Sequence, residues 1–124
     1  MYQYQADLGR ITGKPLLKKV VEYMNNAIQE EMSRKKTKQT TLKYVLFSAH
    51  DSTLLSEMSA LRSPLTKANA PPYASFLHFA LFEPRRANFY IQVTYNDNTD
   101  HIVPNPDSGD ASWSLAQLLK LAGQ

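Results

Sequence analysis

The chain has 124 residues, 43% of them hydrophobic, and no cysteine. That suits one modest domain and excludes disulfides, thiolate chemistry and sulfur-based zinc sites. The formal charge of +3 has a local source, Arg34, Lys35, Lys36 and Lys38, on an otherwise near-neutral sequence, so a solvated basic loop over 33–41 is expected and a nucleic-acid-binding face is not.

Residues 1–14 are polar and aromatic with Gly9 and Gly13, and read as irregular. Pro15 sits where proline is tolerated, in a first helical turn. Leu16, Leu17, Val20, Val21, Met24, Ala27, Ile28 and Met32 then follow a 3.6-residue rhythm, which predicts a long amphipathic helix to about residue 32 with its apolar stripe in the core. After the basic loop, Tyr44 to Phe47 form a short apolar run of the kind that makes a buried strand. Ser48-Ala49-His50-Asp51 breaks that run, and Leu54, Leu55, Met58 and Leu61 recur at helical spacing to about Leu61-Arg62. Asp51 falls at or near the helix N-cap. Free N–H groups and the positive end of the helix dipole favour an anion at such a junction. The plain alternative is that Asp51 only caps the helix, a role worth about 1 kcal/mol.

Residues 65–72 are loop, since Pro71-Pro72 fits neither regular element; the bond between them is a candidate for either isomer. Ser75 to Phe82 and Asn88 to Tyr95 are rich in β-formers and flank Pro84-Arg85-Arg86-Ala87, which predicts an antiparallel hairpin. In the second run Phe89, Ile91, Val93 and Tyr95 alternate with polar neighbours, so one face is buried. His101-Ile102-Val103 suggests a further short strand, and Pro104 to Gly109 a loop. Ser114 and Gln117 make a capping-box pattern ahead of Leu115, Leu118, Leu119 and Leu121, and Gly123 stops that helix. The elements together predict an α/β fold with helices packed on a mixed sheet. No run reaches the roughly 20 apolar residues of a membrane span, and the first seven residues lack a signal-peptide pattern.

Two segments carry a family resemblance. Phe47-Ser48-Ala49-His50-Asp51-Ser52-Thr53-Leu54-Leu55 resembles the "SAHD" segment of histidine acid phosphatases, and Pro71-Pro72-Tyr73-Ala74-Ser75 resembles that family's "PPYAS" segment. Leu8-Gly9-Arg10-Ile11-Thr12-Gly13 and the helix after it are more loosely similar to the part leading into the His-Asp strand. The resemblance covers the family's C-terminal half, so it implies that residues 1–124 form a single domain equivalent to the C-terminal portion of a histidine-phosphatase-like fold. It also implies a partner in the missing N-terminal half of the catalytic domain. Family members are often secreted, lysosomal or periplasmic, and this sequence leaves the compartment open.

The family hydrolyses phosphomonoesters without metal or other cofactor. A histidine attacks phosphorus, arginines hold the phosphate oxygens, and an acid protonates the leaving alkoxide. By resemblance Asp51 is that acid and His50 a phosphate-binding residue beside it. A carboxyl next to bound phosphate keeps its proton through like-charge repulsion, and a protonated imidazole donates from both nitrogens. The nucleophile's Arg-His-Gly motif is absent: only His50, His78 and His101 occur. Arg10, Arg34, Arg62, Arg85 and Arg86 form no cluster. Ala80 stands where many members carry a glutamate, and Glu83 comes too late to replace it. The implied activity is therefore phosphomonoester hydrolysis through a phosphohistidine in an intact enzyme, this chain alone being inactive. The alternative is a non-catalytic phosphate-binding or scaffolding module.

Other chemistries fit less well. Ser48, His50 and Asp51 lie too close along one strand and turn for a triad. His50, His78 and His101 lack metal-ligand spacing. Trp113 reads as a packing anchor. An apolar strand with no lateral neighbour invites pairing with another chain, so a homo-oligomer is expected.

Overall fold

The computed structural model describes residues 8–33, 42–63, 73–96 and 102–123. The long helix α1 spans Lys14–Met32, as its rhythm requires. Leu17, Val21 and Met24 are buried on it, three and four residues apart along one face. Residues 8–12 are helical rather than irregular. This turn runs into α1 through Gly13, whose N–H bonds the Gly9 carbonyl at 2.8 Å while its own carbonyl accepts from Leu17 at 3.1 Å. Glycine is tolerated there because another backbone crosses: a Cβ on Gly13 would collide with the Ser56 carbonyl, and one on Gly9 would meet the Ser59 side chain at 2.8 Å. The element crossing at this point is α2, Asp51–Ala60. Thr12 Oγ1 adds a hydrogen bond to Ser56 Oγ at 3.0 Å.

The expected strand at Tyr44–Phe47 is not formed. Residues 42–50 carry no regular secondary structure, and Tyr44 and Leu46 are 73% and 75% exposed. Apolar, β-branched composition stabilises a strand only when neighbours take its N–H and C=O groups and cover its side chains. No described strand lies beside this segment. Its ring contact is Phe47 with Tyr23 of α1, at 6.2 Å between centroids and 60° between planes.

The hairpin is formed by β1, Leu77–Arg85, and β2, Asn88–Tyr95, with Phe79 opposite Val93 and Leu81 opposite Ile91. Pro84 does not end β1. The register shifts between Phe82 and Arg85, and this irregularity accommodates a residue with no N–H to give. The turn is made by Arg86 and Ala87, the latter at φ 66°, and the Glu83 carboxylate accepts the Ala87 N–H at 2.9 Å. The third strand, β3, is Ser112–Trp113, with Trp113 opposite Ile91. All described pairings are antiparallel, in order β1-β2-β3, where a mixed sheet was expected. Ile102 makes a single bridge to Thr94, and the Val103 N–H bonds Val93 at 2.9 Å; His101 lies outside the described residues.

Helix α3, Leu115–Gly123, starts with the capping box its sequence suggests. The Ser114 N–H bonds Gln117 Oε1 at 2.7 Å, and the Gln117 N–H bonds Ser114 Oγ at 3.2 Å. One core joins α1, α2, α3 and the inner sheet face: Leu17, Val21, Leu61, Ile91, Val93, Val103, Trp113 and Leu118 are all buried in it. The opposite sheet face carries His78, Ala80, Phe82, Tyr90 and Gln92, and its Phe82 and Tyr90 rings stack at 5.0 Å.

Candidate active site

The His-Asp pair sits where a segment without regular secondary structure enters α2. His50 is the N-cap itself, at φ −105° and ψ 169°, and Asp51 is the first helical residue. Thr53 Oγ1 accepts the His50 N–H at 3.4 Å, and the Thr53 and Leu54 N–H groups bond the His50 carbonyl at 3.0 and 3.2 Å. These bonds fix the backbone of the turn and leave the imidazole exposed. Asp51 Oδ1 accepts the Ser52 N–H at 2.7 Å, so the carboxylate takes one of the orphan donors of the helix start, where the dipole favours its charge. The two side chains are neighbours, open to solvent, at a helix end suited to an anion.

The second motif holds the open end of the hairpin. The Phe76 N–H bonds Asn96 Oδ1 at 2.7 Å, and the Asn96 N–H bonds the Phe76 carbonyl at 2.9 Å. Tyr95 Oη and Asn96 Nδ2 reach Ser75 Oγ at 3.5 and 3.4 Å. Tyr73 is fully exposed and Ala74 takes φ 61°. Pro71 and Pro72, and so the isomer of the bond between them, lie outside the described residues.

The described arginines are spread over separate elements. Arg62 follows α2 at its opposite end, Arg85 and Arg86 lie at the hairpin turn, and Arg10 belongs to the helical turn before α1; Arg34 lies outside the described residues. Ser48, His50 and Asp51 make no hydrogen bond with one another, so no triad is assembled. Among the described residues no three His, Asp or Glu side chains cluster as a metal site.

One residue escaped the sequence analysis. Glu57 on α2 is 4% exposed, and among the described residues neither carboxylate oxygen has a hydrogen-bond partner. Loss of hydration on burial pushes its carboxyl from an ordinary 4.5 up to about 8. The signal was present in the spacing, because Glu57 lies three residues after Leu54 and four before Leu61, on the apolar stripe itself.

Residues 1–96 match the family model of the histidine phosphatase superfamily, branch 2. The chain belongs to that superfamily. The match covers His50, Asp51, α1, α2 and the hairpin, and stops before β3 and α3. No curated protein matches the chain. Superfamily membership points to phosphatase-type chemistry on a phosphate ester. No helix among the described residues is long and apolar enough to cross a membrane.

Proposed function

We propose that this chain supplies the acid half of a metal-free phosphomonoesterase site, in which Asp51 protonates the leaving group and His50 binds the phosphoryl oxygens. The histidine that would form the phosphohistidine belongs to an N-terminal half of the same catalytic domain, of which residues 1–124 are the C-terminal counterpart. The observation that carries this is the exposed His50–Asp51 pair at the start of α2, inside the segment matching the superfamily. In the assembled enzyme, Asp51→Asn should slow esters with poor leaving groups roughly 100-fold or more, the usual range for a positioned acid. Esters with good leaving groups should lose little. Equal losses for both, in kcat/KM measured across a leaving-group series, would remove the general-acid role.

A second reading, a phosphate-binding module without catalysis, is favoured by one fact: no His in the 124 residues is preceded by Arg or followed by Gly. The two readings separate on whether a histidine nucleophile is present in the assembled protein.

The bare apolar segment at Tyr44–Phe47 supports self-association when the counterpart is absent. Sedimentation of the chain alone should give a dimer or larger species at micromolar concentration, through pairing of unsatisfied strand edges. A monodisperse monomer at high concentration would count against it.

A further inference from the structure

Glu57 is a buried acid with no role in the chemistry above. It lies in the most enclosed part of α2, followed directly by buried Met58, Ser59, Ala60 and Leu61. Among the described residues, the 8–13 turn packs on this helix through Gly9, Thr12 and Gly13, as does α1. The ionisable groups they carry are Arg10 on the turn, then Lys14, Lys18, Lys19, Glu22, Tyr23, Glu30 and Glu31 on α1. Lys19 and Glu22 face each other at 3.6 Å. None of these groups hydrogen-bonds the Glu57 carboxyl, and β2, which shares the core with Ala60 and Leu61, carries Tyr90 and Tyr95 but no Asp, Glu, His, Lys or Arg.

A carboxylate cannot stay in such a place without a partner, since burying an unpaired charge costs far more than moving it out or neutralising it. We propose that Glu57 is a proton-operated latch on α2: with its carboxyl neutral the helix stays docked on the 8–13 turn and α1, and on ionisation the carboxylate leaves the interior and the docking loosens. The same helix holds His50 and Asp51 in its first turn, so the order of that turn is tied to pH. Because burial raises the carboxyl to about 8 in the folded chain, its stabilising effect is complete below about pH 4.5. It is lost progressively as pH rises toward about 8, the folded state being the one that holds the proton more tightly.

The test uses the whole chain and needs no turnover, so it stands or fails apart from the phosphatase assignment. The Glu57 carboxyl carbon is titrated by NMR, and amide hydrogen exchange of α2, corrected for intrinsic rates, is followed from about pH 5 to about pH 8. The carboxyl should titrate well above the ordinary range, and protection in α2 should fall at least about tenfold across that interval. In Glu57→Gln, an isosteric neutral side chain, protection should change by less than about twofold. A carboxyl that titrates near 4.5, or parallel pH profiles in the two proteins, overturns the latch. Should Glu57→Gln fail to fold, the titration of the unsubstituted chain decides alone.

Discussion

p-Nitrophenyl phosphate incubated with this chain alone at about pH 5, below the usual histidine range, should be hydrolysed at the background rate. On the proposed reading, His50 and the start of α2 give phosphate a place to sit, so weak binding is expected, visible as a shift of the His50 ring signals with added phosphate. Turnover needs more. On that reading the reaction requires an attacking imidazole in line with the leaving oxygen and a set of cations matched to the developing charge, and the described arginines lie at the far end of α2, in the hairpin turn and in the turn before α1. Removing one such preorganised group typically costs about 100- to 1000-fold, and on the proposed reading several of them belong to the N-terminal half. Adding a polypeptide that supplies the N-terminal half of a superfamily catalytic domain should restore hydrolysis, and Asp51→Asn in that mixture should remove most of it for poor leaving groups. Turnover by the chain alone, abolished by His50→Ala, would instead make His50 the nucleophile.

The parts of this fold that were legible in the sequence are those whose cause is local. The stripe from Leu17 to Met24 has to face one way once the chain is helical, and the Ser114–Gln117 box closes within a single turn. The alternation in β2 likewise put Ile91 and Val93 on the buried face. Tyr44–Phe47 failed for the opposite reason. A strand is a relation between segments, and no described strand stands beside this one, so strand-like composition alone left Leu46 in solvent. β3 escaped because two residues carry no periodicity, and Pro84 misled because a ladder irregularity absorbs it. At the candidate site, the helix start at His50 and Asp51 was legible, with His50 rather than Asp51 as the cap, but the strand expected to lead into it is not formed. Glu57 was written into the apolar stripe of α2, but acidity usually marks the solvent face, and only burial reveals the exception.

Trp113→Ala should be the most damaging single substitution in the core. The indole is 1% exposed, stands opposite Ile91 in the sheet, and donates from Nε1 to the Val103 carbonyl at 3.0 Å. It therefore holds the end of a two-residue strand and the strand-like Val103 segment to one another, which no ladder of useful length does here. Truncation leaves a large cavity costing roughly 3–5 kcal/mol. It also leaves the Val103 carbonyl without its donor, adding about 1 kcal/mol. Set against a total stability of about 5–15 kcal/mol for small domains, that removes much of the folding free energy. Thermal unfolding should shift down by roughly 10–20 °C, at several degrees per kcal/mol for a domain of this size. Trp113→Phe separates the two contributions, because it keeps most of the apolar volume and loses only the hydrogen bond and the ring difference. Its cost should be about 1–2 kcal/mol, less than half that of alanine. Equal losses for Ala and Phe would assign the role of Trp113 to its hydrogen bond, and a loss under about 1 kcal/mol for Ala would mean that it does not anchor the core.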